Sequence, residues 1–305
     1  MRILVVGFGS IGQRHARVLG ELECQVAIVS RRSVEFPRIY ASLRDAVVDW
    51  RPEYVIVASK TRDHHDDLMA LASLGFNGRV LVEKPLFDVV HNVSKLAFSH
   101  AAVAYNLRAH PLLLQLRHFL ASQSSVISAQ IYVGQYLPQW RPTQDYREGY
   151  SSRRLEGGGV LRDLSHELDY ALWLFGPWTR LTALGGHFSH LEIDSDDVFS
   201  VLMATERCPL VQLHMNYLDR VARREILVQT DDHSVRIDMI GGLFEVDGIA
   251  QPPVSLERDY TYRAEHRAML AGDLSGLCSV AEGLDVVVTI SAIENAANSN
   301  QWIIR

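Results

Sequence analysis

Three groups of residues in this chain have the types and spacing to do chemistry. Val80-Leu81-Val82-Glu83-Lys84-Pro85 is an apolar strand-like run that ends in an acid, an ammonium and a proline. Strand C-terminal ends are where open α/β sheets place their ligands. A Lys ahead of a proline has a fixed exit path, and its peptide bond belongs to the class that can be cis. An ordinary surface lysine after a strand is the alternative reading of Lys84. The second group is Asp163 and His166, three residues apart in a helical pattern that gives them a shared neighbouring face. An acid and an imidazole held together suit proton transfer; a solvated helix face or a structural hydrogen bond explains them equally well. The third is Gly7-Phe8-Gly9-Ser10-Ile11-Gly12, which follows Ile3-Leu4-Val5-Val6 and opens a helical pattern. The first Gly permits a tight turn, the second lets the backbone approach a pyrophosphate, and the third lets helix pack on strand. Gly7, Gly9, Ser10, Ile11 and Gly12 would then cradle a dinucleotide at a helix N-terminus, against the alternative of a plain glycine-rich turn.

The next strand-like run, Gln25-Val26-Ala27-Ile28-Val29, ends at Ser30-Arg31-Arg32, where the residue reading the adenosine ribose should stand. An acid there would accept from the 2′-hydroxyl of NAD. A hydroxyl followed by two guanidiniums suits the 2′-phosphate of NADP instead, so NADP is favoured over NAD. Ordinary solvated loop charges are the alternative for Arg31 and Arg32.

The elements that must position these groups follow from the rhythm of the chain. Residues 2–7, 25–30, 54–58, 79–82 and 101–105 are short and apolar, with amphipathic segments between several of them. This is the pattern of a doubly wound parallel sheet. Beyond about residue 125, Ile127–Val133, Phe199–Met203, Leu210–His214 and Glu225–Gln229 are strand-like and partly alternating, as in a mixed or antiparallel sheet with one covered face. The expected fold is α/β, with a Rossmann-type domain over 1–120 and a second α/β domain with an open, mostly antiparallel sheet over 121–305. Gly157-Gly158-Gly159 leads into one expected helix with Leu161, Leu164, Leu168, Leu172 and Phe175 as its apolar stripe, stopped by Gly176-Pro177. A last long helix is expected between Ser275 and Asn300.

Composition narrows the function. The chain has 305 residues, 48% hydrophobic and 22% charged, with a formal net charge of -6. That balance suits a globular protein handling small molecules and gives no electrostatic footprint for nucleic acid or an anionic membrane. No apolar stretch approaches a bilayer span, and a cytoplasmic location is expected. Cys24, Cys208 and Cys278 are far apart and odd in number, so neither a disulfide framework nor a Cys-x-x-Cys metal site is written here. Adjacent His64 and His65 point in different directions on a helix, so no metal site is expected.

Gly7-x-Gly9-x-x-Gly12, Glu83-Lys84-Pro85, and Gly157-Gly158-Gly159 followed by Asp163 and His166 together resemble the glucose-fructose oxidoreductase, inositol dehydrogenase and MocA family over essentially the whole chain. Tyr105-Asn106-Leu107-Arg108 with Pro111, and His64 after the third strand-like run, add to the resemblance. It implies an NAD(P)-binding Rossmann domain, a second domain for substrate binding and oligomerisation, an active site in the cleft between them, and a homodimer or homotetramer. It also implies oxidation of a sugar or cyclitol hydroxyl or reduction of the ketone, with Lys84 as the catalytic lysine, His166 as the general acid/base and Asp163 as the acid that orients or assists. Ser59, His64 and Glu83 would border the cofactor, and Arg108 the substrate. Two departures bear on this. Many members place the acid four residues before the histidine, where Arg162 stands here, which leaves open which of Asp163, His166 and Glu167 moves the proton; and Ser59-Lys60-Thr61 stands where a proline is common.

Tyr136, Trp140, Arg141, Tyr146 and Tyr150 lie in a long connection rich in rings and guanidiniums. Aromatic faces stack on sugars or bases, and Arg clamps carboxylate or phosphate, so a nucleotide-linked or acidic sugar is the expected substrate class. The stretch resembles the subgroup of nonulosonic-acid and surface-polysaccharide sugar pathways; rings that pin a loop or build a subunit interface are the alternative. The competing function is a non-catalytic NADP-binding sugar sensor on the same fold.

Overall fold

Apolar runs of four or five residues, rich in Val and Ile and too short for stable helices, build the first sheet. The computed structural model describes residues 1–93 and 96–305. Its contacts divide into two units, Met1–Ala109 with Glu257–Val287, and His110–Leu256 with Val288–Arg305. Along the first segment run β1 (Arg2–Val6), α1 (Ser10–Glu21), β2 (Gln25–Val29), β3 (Ile39–Tyr40), α2 (Leu43–Trp50), β4 (Tyr54–Val57), α3 (His64–Ser73), β5 (Arg79–Val82) and β6 (His100–Val103). The second unit continues with α4 (Pro111–Ala121), β7 (Val126–Gly134), α5 (Val160–Asp163), α6 (His166–Phe175), β8 (Trp178–Gly186), β9 (Val198–Thr205), β10 (Leu210–Asn216), β11 (Arg223–Thr230), β12 (Ser234–Asp238), β13 (Leu243–Val246) and β14 (Ile249–Ala250). The chain then returns to the first unit with α7 (Tyr260–Ala271) and β15 (Cys278–Ser279), and α8 (Val280–Ser299) and β16 (Ile303–Ile304) end it.

The first sheet has the order β15-β6-β5-β4-β1-β2-β3 and is parallel except for β15. Because β1 lies between β2 and β4, the winding reverses at β1, and the C-terminal ends of β1 and β4 form the switch point where such sheets hold ligands. Ile3, Val5, Ile28, Tyr54 and Ile56 are fully buried in its core.

The second sheet has the order β14-β13-β12-β11-β7-β10-β9-β8-β16 and is antiparallel except for the β7–β10 pair. Ile131, Val201, Leu213 and Ile226 are buried on one face. The opposite face carries the register row Thr182, Leu202, Gln212, Gln130, Leu227 and Arg236, mostly exposed. This period of two is the one expected of a half-covered sheet. Among the described residues no helix is long and apolar enough to cross a membrane.

The structure corrects one local expectation. The single helix through Leu161–Phe175 is two helices, because Ser165 N–H bonds to Arg162 O and Glu167 N–H to Leu164 O, three-residue links that replace the regular four-residue ladder. Asp163 therefore ends α5 and His166 begins α6, and they do not share one helix face. The long helix expected between Ser275 and Asn300 is α8, Val280–Ser299, and Cys278–Ser279 before it pairs with β6. The sequence does not distinguish β8, β12 and β13 or the two-residue strands β3, β14, β15 and β16; β8 and β12 mix polar residues with apolar ones, and short strands carry weak apolar signals.

Candidate active site

In the first unit the glycine turn is built by close backbone packing. Ala58 N–H donates to Val6 O, so Gly7 and Ala58 leave β1 and β4 side by side. A Cβ on Gly7, whose φ is +91°, would lie 2.5 Å from Ala58 O, and one on Gly12 would lie 2.1 Å from Gly7 O. At Gly9 no described atom stands within 4 Å of such a Cβ. Helix α1 starts at Gly9 with no described side chain capping it, which leaves its first-turn N–H groups facing the turn. An open backbone approach and an uncapped helix N-terminus fit a pyrophosphate.

At the end of β2, Arg31 and Arg32 are exposed. Ser30 Oγ donates to Arg32 O at 3.0 Å and accepts from its N–H at 3.1 Å, while Arg32 Nη2 donates to Phe8 O at 2.8 Å. Arg32 thus spans from the end of β2 to the glycine turn. Ser59 Oγ donates to Asp67 Oδ2 at 2.6 Å, and burial pushes the Asp67 carboxyl up against the pull of Ser59, His64 and Arg31. His64 is buried, with Nδ1 3.1 Å from Leu86 O and Nε2 3.2 Å from Ser59 O; burial lowers its pKa.

Beyond β5, Glu83 is buried, Lys84 is half-buried, and the Lys84–Pro85 bond is cis. Glu83 Oε1 lies 2.7 Å from His15 Nε2, and Oε2 accepts the Lys84 backbone N–H at 3.0 Å. Burial alone would push the Glu83 carboxyl up, but the His15 hydrogen bond, the charge of Lys84 and the Lys84 N–H hold it below its usual range. Arg108 is 3% exposed and its Nη1 donates to Glu282 Oε1 at 2.9 Å and Leu277 O at 3.3 Å. Both of these partners belong to the first unit.

In the second unit the structure gathers several of the expected residues around Asp163, which is buried. Tyr217 Oη donates to Asp163 Oδ2 at 2.7 Å, and the Tyr150 hydroxyl also bonds to Asp163. Tyr150 keeps 38% of its surface exposed while its hydroxyl is turned inward. The charge of Asp163 first and burial second hold the Tyr150 phenol well above its ordinary value; for Tyr217 burial is the larger cause and Asp163 the next. Both phenols therefore remain donors. Trp140 packs edge-on against Tyr217 at 5.2 Å, and Arg141 lies 5.9 Å over the Tyr150 ring. Close by, Asp196 accepts the Leu161 N–H at 3.1 Å, and burial pushes its carboxyl up to about 6.

His166, half-buried, begins α6. Its neighbour Glu167 is fully buried, with Oε1 2.8 Å from Arg224 Nε and accepting from Tyr170 Oη at 3.2 Å. Both of these partners belong to the second unit. Arg162 pairs with Glu294 at 2.7 Å. Two of the expected aromatic residues are engaged elsewhere: Arg220 sits 3.4 Å over the Tyr136 ring, and Tyr146 Oη accepts the Glu192 N–H at 3.3 Å. Sequence reasoning missed Tyr217 and Asp196. The signal for Tyr217 was an aromatic hydroxyl three residues past the strand-like Leu210–His214 run; a lone Asp in a loop carries none. Among the described residues no group of three His, Cys, Asp or Glu is placed to hold a metal ion.

The comparisons with known proteins agree with this architecture. The model described as the oxidoreductase family with an NAD-binding Rossmann fold, GFO/IDH/MocA, matches residues 1–104, and that for the GFO/IDH/MocA C-terminal domain matches residues 124–237. No curated protein matches by sequence. Similar solved structures include GenD2 from gentamicin A biosynthesis in complex with NAD, 20% identical with a TM-score of 0.82, covering 100% of this chain and 96% of that one. Levoglucosan dehydrogenase in complex with NADH is 16% identical, with a TM-score of 0.83 and coverage of 100% and 98%. The WlbA dehydrogenase from Bordetella pertussis, in complex with NADH and UDP-GlcNAcA, is 17% identical, with a TM-score of 0.81 and coverage of 100% and 98%. At these identities the likeness is one of fold. With its N-terminal Rossmann region and its C-terminal domain both matched by models of one family, the chain belongs to the GFO/IDH/MocA oxidoreductase family.

Proposed function

We propose that this protein is an NADP-favouring oxidoreductase that interconverts a secondary hydroxyl and a ketone on a sugar derivative, with residues 1–120 taking the cofactor and 121–305 the sugar. The observation that carries the reading is the turn from β1 into α1: an open Gly9, an uncapped helix start, and a β2 that ends in Ser30 and two exposed guanidiniums. First-turn N–H groups suit the pyrophosphate, and Arg31 and Arg32 suit a 2′-phosphate, where the NAD-reading carboxylate has no counterpart. Ser59, His64 and Glu83 border the cofactor in this reading.

Bound NADP supplies the hydride donor or acceptor. The alkoxide left by ketone reduction is a strong base and needs a proton. The Lys84 ammonium stabilises negative charge on that oxygen. His166 delivers the proton, and Asp163, fixed by Tyr150 and Tyr217, orients the exchange. Trp140 and Tyr150 offer ring faces to a sugar, and Arg141 offers a clamp for the carboxylate or phosphate of a nucleotide-linked or acidic sugar, of the nonulosonic or surface-polysaccharide type. Arg108, Tyr136 and Tyr146, held by the partners given above, also contact the sugar in this reading. The mixed outer face of the second sheet suits self-association into a dimer or tetramer.

The test is titration of the purified protein with NADPH and NADH, followed by nicotinamide fluorescence, repeated on Arg31→Ala/Arg32→Ala. Charge-assisted hydrogen bonds contribute about 1.5–3 kcal/mol, so the double variant should bind NADPH roughly 10- to 100-fold more weakly and NADH unchanged. Equal binding of both cofactors by the wild type discards the phosphate clamp.

A further inference from the structure

Beneath Lys84 the first unit contains a buried chain of polar side chains that the reaction scheme above does not use. Tyr54, on β4, and His266, on α7, are 0% exposed, as is His15 on α1. Tyr54 Oη lies 3.0 Å from His266 Nδ1, His266 Nε2 lies 2.8 Å from His15 Nδ1, and His15 Nε2 lies 2.7 Å from Glu83 Oε1. Glu83 Oε2 then accepts the Lys84 backbone N–H. Four links join the core of the Rossmann unit to the backbone of Lys84.

The order of protons along this chain follows from what each group can do. An ionised Glu83 only accepts, so His15 Nε2 carries a hydrogen. The Tyr54 proton has no other acceptor among the described residues, so His266 Nδ1 accepts it. His266 Nε2 then donates to His15 Nδ1. This order satisfies every member of the chain and leaves one net charge, on Glu83, beside the Lys84 ammonium. Placing a second proton on His15 would keep its donation to Glu83 but reverse the His15–His266 and His266–Tyr54 links, leaving the Tyr54 proton without an acceptor. The surrounding groups are Tyr262, whose ring packs edge-on against His15 at 5.6 Å with Arg14 above it at 5.0 Å, and His64, Glu265 and Arg79, which act electrostatically on Glu83 or Tyr54. Burial lowers the pKa of His266 strongly, in keeping with a neutral ring.

We propose that His15, held in one tautomer by His266 and Tyr54, is a positioning residue that keeps the Glu83 carboxylate ionised and aimed at the Lys84 backbone, and so sets where the Lys84 ammonium stands. The proposal rests on the reading of Lys84 as a group that meets the substrate. It also gives a role to the return of residues 257–287 to the first unit: α7 supplies His266, the middle of the chain.

The chain has only three lysines, Lys60, Lys84 and Lys95, so the environment of Lys84 can be read chemically. The cofactor-free protein is labelled with trinitrobenzenesulfonate, and the Lys84 rate is taken by peptide mass spectrometry relative to exposed Lys60. His15→Leu removes the donor to Glu83. A buried carboxylate without its donor takes up a proton or turns away. Either change removes the negative charge beside the Lys84 ammonium and frees its backbone, so the Lys84 to Lys60 ratio should rise at least about fivefold. His15→Gln places an amide N–H near the lost Nε2 and should keep the ratio within about twofold of wild type. An unchanged ratio in His15→Leu, or an equal rise in both variants, overturns the proposal. If His15→Leu does not fold, the wild-type protein decides. Its histidine ¹⁵N spectrum should contain two imidazoles with bare Nδ1 and protonated Nε2 between about pH 6 and 8, one lost in His15→Gln and the other in His266→Gln. A protonated Nδ1 on His15 overturns the proposal. Neither measurement uses NADPH, so failure of the cofactor reading leaves both outcomes interpretable.

Discussion

Gly9 and Gly12 stand three residues apart in one turn, yet alanine should act on them through different physics. A Cβ on Gly12 would sit 2.1 Å from Gly7 O and 3.0 Å from Gly7 C. Carbon and oxygen in favourable contact stay roughly 3.3–3.6 Å apart, so the overlap exceeds an ångström and involves backbone, which cannot rotate away. Relief requires α1 to move off the turn. Overpacking of this kind costs about 1–3 kcal/mol, occasionally more, and each kcal/mol lowers Tm by roughly 2–4 °C in a chain of this size. A Cβ on Gly9 meets no described atom within 4 Å, and its φ of -76° and ψ of -172° suit alanine. Only its preference as an N-cap is lost, at about 1 kcal/mol. That methyl would, however, stand where the pyrophosphate is proposed to approach. Gly9→Ala should therefore melt within a few degrees of wild type but bind NADPH at least about 100-fold more weakly, or about 2.7 kcal/mol. Gly12→Ala should lose stability first, with weaker binding as a consequence. Scanning calorimetry and fluorescence titration on the same samples separate the two. Wild-type NADPH affinity in a stably folded Gly9→Ala refutes the placement of the cofactor, and a wild-type melting curve for Gly12→Ala refutes the packing argument.

Two further outcomes are expected. Lys84→Met, which keeps the length of the side chain and removes its charge, should abolish sugar turnover while leaving NADPH affinity within about threefold of wild type; unchanged turnover would end the catalytic reading of Lys84. Asp196, with its carboxyl pushed up to about 6 by burial, binds its proton more tightly folded than unfolded, so its contribution to stability is present at low pH and is lost as pH rises from about 4 through about 6. Asp196→Asn keeps an acceptor for the Leu161 N–H and should be more stable than wild type at neutral pH by about 1–3 kcal/mol, the gap closing in acid; urea unfolding at both pH values reads it, and a gap independent of pH counts against a buried ionised Asp196.

What the sequence by itself determined was local. The β1 turn into α1 is legible because each glycine answers a short-range steric demand, and the structure has Gly7 at positive φ and Gly12 against Gly7 O where the spacing requires them. The parallel strands of the first sheet are legible because both faces are covered, so they read as unbroken apolar runs. Lys84, Asp163 and His166 stood out by type and by the motifs around them. Tertiary structure alone decided what those groups touch. Asp163 and His166 look like one helix face at a spacing of three, but three-residue bonds at Leu164–Ser165 divide the helix and leave Asp163 to Tyr150 and Tyr217, the latter 54 residues away. Glu167 looks as available as His166 in the sequence, and only the fold brings Arg224 to it. The same holds beneath Lys84, where Glu83 meets His15 and His15 meets His266, 251 residues further along the chain. Periodicity and turn chemistry act over a few residues and are written in order along the chain, whereas a buried polar group takes its partner from whatever the packed fold brings within about 3 Å, and nothing in the local sequence specifies that partner.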